Sequence, residues 1–182
     1  HPPLVFLAYA LTQAPLSMAW ASMLTGTRNW AERGLRLTRA NWLVYTIAMS
    51  LGGLWAYETL GFGGFWAWDP VEVANFLPWL ALSLFLHSQL LVTRKQGSHL
   101  IGPLLATLPF TLTILSTLST RSGLWVSVHA FTDPTRAFEP DSAKRLLNIL
   151  QADESLVFYL QLLLGSLFVS LLLWHRYLGR AE

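Results

Sequence analysis

Cysteine is missing from all 182 residues, which excludes disulfides, thiolate metal sites and a cysteine nucleophile. The absence says little about compartment, because many proteins facing an oxidising space simply avoid the residue. Charge is scarce too: Asp, Glu, Lys and Arg together make up 12% of the chain, too little polar surface for a soluble domain of this length. A concentrated basic run is also lacking. The formal net charge is only +2, and the Lys and Arg residues fall in short stretches between apolar segments, where they read as topology determinants. No nucleic-acid partner is expected. The chain opens on His-Pro-Pro, with neither Met nor a signal-peptide pattern, and is therefore expected to be an internal part of a longer polypeptide.

Apolar residues dominate what is present, at 53% of the chain, and nine residues are Trp. Several apolar runs are long enough to cross about 30 Å of hydrocarbon as helices, with every backbone hydrogen bond closed inside the segment. The fold expected is an all-α polytopic membrane protein, a single membrane domain over 1–182 with membrane lipid as its surroundings. Five spans are read at 4–24, 42–57, 71–92, 100–120 and 155–174. The loop 25–41 carries Arg28, Arg33, Arg36 and Arg39 against Glu32. Arg94 and Lys95 follow the third span, and Arg176 and Arg180 follow the last. By the positive-inside rule these three regions face the cytoplasm, leaving His1, the segment 58–69 and the loop 121–154 outside.

Within that outer loop, 141–151 places Leu146, Leu147, Ile149 and Leu150 on adjacent turns, the pattern of a short amphipathic helix lying on the membrane or on a partner. The fourth span carries Thr113, Ser116, Thr117 and Thr120 at helical spacing, a small polar stripe suited to close helix packing. Between the second and third spans the chain is dense in Gly and aromatics from Leu51 to Trp79. Glycine lets a backbone approach a flat ligand closely, and Trp and Phe supply broad apolar faces. An aromatic belt at the membrane interface is the plainer explanation, but a belt needs only scattered Trp and Tyr, so a platform facing a ligand is the better reading. Asp69-Pro-Val-Glu72 resembles a pair of catalytic carboxylates, yet it is also what a helix start requires: Asp as N-cap, Pro in the first position, Glu in the third. Capping is preferred. Glu58 reads as a solvated carboxylate.

Without cysteine, metal chemistry rests on the five histidines. His87 is the oddest, inside the third span on a face with Phe76, Leu80 and Ser83, and an ionisable group within the hydrocarbon is a functional hypothesis by default. At 1.5 Å per residue it lies about 25 Å along the helix from Pro70, too far to serve a ligand lying flat on the outer platform. His1 and His129 are both read as outer, able to reach either edge of the aromatic segment, and histidine is the natural axial ligand of haem iron. His99 and His175, at the edges of basic loops, read as interfacial.

The stretch WAWDPVEVANFLPW at 66–79 resembles the tryptophan-rich WWD signature of haem-handling membrane proteins. Its tail, followed by His87-Ser, is closer to the CcmF type than to the related CcmC and CcsA types. The opening HPPL and the segment RSGLWVSVHAF at 121–131 agree, so the resemblance runs in order from the first residue to about Phe131. It implies the haem lyase component of cytochrome c maturation, multi-pass in the bacterial cytoplasmic (inner) membrane with its active face toward the periplasm. Such a protein receives haem from the chaperone CcmE and joins it to the CXXCH thiols of apocytochrome c, with a CcmH-type thiol reductant as further partner. By that resemblance the segment 55–79 handles substrate haem through Trp55, Trp66, Trp68, Asp69 and Trp79, and His1 and His129 ligate its iron. His87 is implied as one axial ligand of a separate resident haem b, whose second ligand comes from the remainder of the polypeptide or a companion subunit, since nothing in this chain matches it. The chain is much shorter than a full-length member, and Phe-Trp-Ala-Trp replaces a denser Trp run. A haem relay of the CcmC or CcsA type without ligation activity is the alternative, and a scaffold whose Trp segment only anchors it is a third.

Overall fold

The computed structural model describes residues 2–59, 64–96, 99–123, 125, 127, 141, 143–144, 147–148, 151 and 153–180, the side chain of Arg33 excepted. The described residues are helical, with no strand among them. In chain order they form α1 (Pro2–Leu11), α2 (Gln13–Thr25), α3 (Trp30–Glu58), α4 (Pro70–Thr93), α5 (Gly102–Leu105), α6 (Leu108–Ser122) and α7 (Glu154–Leu178).

Four stretches are long and apolar enough to cross a membrane: Pro2–Thr25, Pro70–Thr93, Gly102–Ser122 and Glu154–Leu178. The protein is thus a multi-pass, all-α membrane protein. The first of these is nearly continuous, broken only at Thr12, whose hydroxyl returns to the Tyr9 carbonyl at 2.6 Å. Pro15 lacks the N–H that would bond the Leu11 carbonyl, which is where the helix breaks. The segment Gly102–Ser122 is broken the same way, with Pro109 following Thr107, and Thr107 Oγ1 donates back to the Leu104 carbonyl at 2.8 Å.

The second expected span is the later half of α3, which is not among those four. Its helix begins at Trp30, so most of the expected 25–41 loop is helical and the connection from α2 shrinks to a few residues around Gly26, at φ +70°. The reason is packing. Trp30, Ala31, Gly34, Thr38, Asn41, Tyr45 and Ala48 recur at helical spacing and are buried, while Arg36 and Arg39 project outward. The end of the Met18 side chain packs into the space left by Gly34, where a Cβ would overlap it.

Helix α4 is central, packing against α3 on one side and α6 on another. The α6 stripe is a packing surface: Thr113 and Ser116 are buried, and Thr113, Thr117 and Thr120 each donate to a carbonyl one turn back at 2.8–3.0 Å. Satisfied hydroxyls let two helix backbones approach without stranding a polar group. One core cluster, around Trp30, Phe85, Met23 and Tyr177, fills the end where the basic residues lie. A second, around Ala8, Tyr45 and Leu82, fills the end nearer the Trp-rich connection, with Trp42 and Trp79 packed on it. The expected amphipathic helix at 141–151, with Leu146, Ile149 and Leu150, falls largely outside the described residues.

Candidate functional site

The start of α4 is fixed by its own carboxylates. Asp69 Oδ1 accepts from Val71 N at 2.8 Å, and Glu72 Oε2 accepts from Asp69 N at 3.2 Å and Ala67 N at 2.9 Å, a full capping box with Pro70 in the first position. Both side chains are thereby used as the spacing indicates, and their charge suits the positive end of the helix. The two bonds to Glu72 reach back to Ala67 and Asp69, so the cap holds the preceding loop as well as the helix. Trp68, at φ +58°, takes a left-handed conformation that a bulky residue rarely adopts. Its side chain is 70% exposed. Phe65 lies on α3 at Gly53, where a Cβ would stand 2.8 Å from its ring and 2.9 Å from its carbonyl oxygen.

From this capped loop an aromatic series runs down α4. Trp68 meets Trp66 edge-on with centroids 5.9 Å apart, and Trp66 meets Phe76 edge-on at 6.0 Å. Phe76 stacks on Trp79 at 5.4 Å and 16°, and Trp79 tilts against Trp42 of α3 at 5.7 Å. Two indoles are pinned between the helices: Trp79 Nε1 donates to Thr46 Oγ1 and Trp42 Nε1 to Ser83 Oγ, each at 2.8 Å. Trp66, Trp68, Phe76 and Trp79 line an open groove of about 320 Å³ whose far wall includes Thr46 and Phe65. Trp66 also borders a smaller cavity of about 110 Å³ behind it, where Trp55, Tyr45, Glu72 and Asn75 are found. Below that cavity Asn75 ties three helices together, accepting at Oδ1 from Tyr9 of α1 and from Ser116 of α6 at 3.0 Å, and at its backbone carbonyl from Tyr45 of α3 at 3.2 Å.

The groove thus brings together Trp66, Trp68 and Trp79, with Asp69 beside them, and puts Trp55 on the cavity behind. Thr46, Phe65 and Phe76 line it as well, and Trp42 packs against Trp79. Phe65 and Phe76 were within reach of the sequence, one beside the signature and one inside it; Trp42 and Thr46 come from an antiparallel neighbour and carry no local signal. The surface offers broad aromatic faces, and Trp66 Nε1 is buried with no hydrogen-bond partner among the described residues.

Of the histidines, His1 and His129 lie outside the described residues. His87 is exposed on α4 amid the exposed Leu80, Leu84 and Leu91. Its Nδ1 is 2.7 Å from the Ser83 carbonyl oxygen. A carbonyl can only accept, so in the neutral ring Nδ1 carries the proton and Nε2 keeps its lone pair for a metal or another donor. His99 Nδ1 approaches the Arg28 carbonyl at 3.2 Å, and His175 is in the last turn of α7. No group of three or more His, Cys, Asp or Glu side chains that could hold a metal ion forms among the described residues.

The sequence profile of the cytochrome c assembly protein family matches residues 1–125. The cytochrome c-type biogenesis protein CcmF of Haemophilus influenzae is 46% identical over 140 residues, covering 75% of this chain and 22% of that protein. CcmF of Escherichia coli is 42% identical over 147 residues, again covering 75% of this chain and 22% of the relative. A solved structure titled cytochrome c heme lyase CcmF superposes with a TM-score of 0.61 at 33% identity, covering 98% of this chain and 30% of that one. The chain therefore spans about a fifth of the length of these curated relatives.

Proposed function

The chain belongs to the cytochrome c assembly protein family, in its CcmF type, and from that premise we propose that it forms the haem-holding part of a haem lyase component in cytochrome c biogenesis. The single observation carrying this reading is the capped, open groove lined by Trp66, Trp68, Phe76 and Trp79. Its working face is the periplasmic side of a bacterial inner membrane, and its partners are the haem chaperone CcmE, apocytochrome c and a CcmH-type thiol reductant.

The chemistry of the linkage belongs to the reactants: thiols of the CXXCH motif add to the vinyl groups of the substrate haem, each thiol proton ending on vinyl carbon. The protein needs no nucleophile of its own. Its contribution is proximity and orientation. The Trp66 and Trp68 rings present apolar faces, the Asp69–Glu72 capping box keeps those rings in one geometry, and His1 and His129 hold the iron until the apocytochrome histidine replaces one of them. His87 has a different task in this reading. With Nδ1 engaged by Ser83, its Nε2 would hold the iron of a resident haem b, with a further ligand from outside this chain. Its place about 25 Å along α4 from Pro70, at 1.5 Å per residue, separates that site from the outer groove.

Absorption spectra of the detergent-purified protein, oxidised and reduced, test both assignments. A b-type signal that is lost in His87→Ala and kept when His1 and His129 are replaced together is the expected result. A signal indifferent to His87, or no haem retained under any condition by the full polypeptide, overturns the reading.

A further inference from the structure

The basic end of the bundle carries an open cavity of about 440 Å³, whose walls include Thr27, Arg28, Glu32, Thr93 and His99. That volume falls in the range of small-molecule sites, roughly 300–1,000 Å³. Position along the helices decides what can reach it. One apolar stretch ends at Thr25, another ends at Thr93 and a third begins at Gly102. The cavity therefore lies where three apolar segments run out, at the depth of lipid headgroups. It is remote from the tryptophan groove, since Thr93 is the last residue of α4 and the groove is built on the opposite end of that helix.

Arg28 brings a guanidinium to the wall, a fork of N–H donors that matches the oxygens of a phosphate. His99 Nδ1 donates to the Arg28 carbonyl at 3.2 Å, so the two basic residues stand on separate connections fastened to each other. Glu32 is a carboxylate on the same wall. Against it are set Arg28 and His99, with Arg94 and Lys95 directly after Thr93. Apolar surface adjoins these polar groups: Leu24, Leu91 and Ile101 are exposed and lie within two residues of Thr25, Thr93 and His99. A free anion makes no use of such a border, whereas an amphiphile needs donors for its head and apolar side chains for its tails.

We propose that this cavity binds an anionic phospholipid, with the phosphate on Arg28 and His99 and the acyl chains along the exposed apolar side chains of the adjoining spans. A lipid held there ties the α2–α3 connection to the end of α4 and the approach to α5. The site needs neither haem nor any histidine role proposed above, so it stands or falls by itself.

Thermal melting of the full polypeptide in detergent tests it, because a ligand of the folded state raises the melting temperature as its concentration exceeds its Kd. A saturable rise with added phosphatidylglycerol is expected, and none with phosphatidylcholine or with inorganic phosphate at the same concentration. Arg28→Gln should weaken the apparent affinity for phosphatidylglycerol about fivefold. Arg176→Gln removes one charge at the same end of the bundle, from the last turn of α7 and outside the cavity, and should stay near the parent. Glu32→Gln should tighten binding, a gain that damage to the fold cannot produce. Equal weakening by Arg28→Gln and Arg176→Gln reduces the effect to general attraction between a basic surface and anionic lipid and overturns the site. Equal rises with phosphatidylcholine and phosphatidylglycerol overturn the role of the phosphate's net charge. A rise with inorganic phosphate alone, lost in Arg28→Gln, makes the occupant a free anion and overturns the lipid assignment.

Discussion

The two ends of the bundle use tryptophan in opposite ways. At the end where basic residues gather, Trp30 is only 3% exposed, stacked on Phe85 with centroids 5.9 Å apart, and packed so closely on Gly102 that a Cβ there would overlap its ring. Trp174 donates to the Leu100 carbonyl and Trp20 to Ser170 Oγ, each at 3.0 Å, clamping α7 to its neighbours. At the other end Trp68 is 70% exposed, and it shares an open groove with Trp66 and Trp79. One residue type thus supplies core at one end and a platform at the other. What separates them is where the backbone polar groups are satisfied. The platform loop has the Ala67 and Asp69 N–H groups taken by Glu72, which lessens its need for burial, whereas the basic end relies on side chains closing over one another.

Replacing one tryptophan at each end tests that contrast most severely. Trp30→Ala empties a packed core position and is expected to cost about 3–5 kcal/mol, read as a large fall in detergent melting temperature. Trp68→Ala removes a ring already in contact with solvent or lipid, so its cost should stay within about 0.5 kcal/mol, while haem binding on the proposed platform drops. Equal losses of stability from the two variants would erase the distinction. The next largest effect belongs to the cap. Asp69→Ala should cost about 0.5–2 kcal/mol and loosen the platform loop. Asp69→Asn keeps a side-chain oxygen for the cap, so it should melt near the parent.

Much of the platform end was legible in the sequence. Asp69-Pro-Val-Glu72 encodes a capping box by chemistry that acts over a few residues, and the box forms as the spacing indicates. Helix α4 and the last span lie close to their expected limits for the same reason: one apolar run, one clear start. The start of α3 was not legible. The surface of that helix toward the core is built from Ala31, Gly34, Thr38 and Asn41, small or polar residues that give no apolar period, and Arg36 and Arg39 beside them read as loop. The segment gains its packing from other helices, with Met18 against Gly34, Phe85 stacked on Trp30 and Gln89 donating to the Ala31 carbonyl. Thr46 was missed as a groove residue, and Trp42 as the ring supporting Trp79, on the same ground, because both depend on the antiparallel register of α3 against α4.

The smallest effect sharpens the comparison at the level of single hydrogen bonds. Thr46→Val removes the acceptor of Trp79 Nε1 at the platform end, and Ser170→Ala removes the acceptor of Trp20 Nε1 at the basic end. Both changes leave an indole N–H that was partly buried without its hydroxyl, so each should cost about 1 kcal/mol and lower the melting temperature by a few degrees. Stability alone cannot tell them apart. The groove can, because Thr46 and Trp79 both line it and an unpinned Trp79 ring is free to tilt away from Phe76. On the proposed role, the absorption of haem bound at the platform should change in Thr46→Val and stay as in the parent in Ser170→Ala. A matched pair of indole bonds, equal in energy and unequal in consequence, is what distinguishes a tryptophan holding helices together from one holding a surface open.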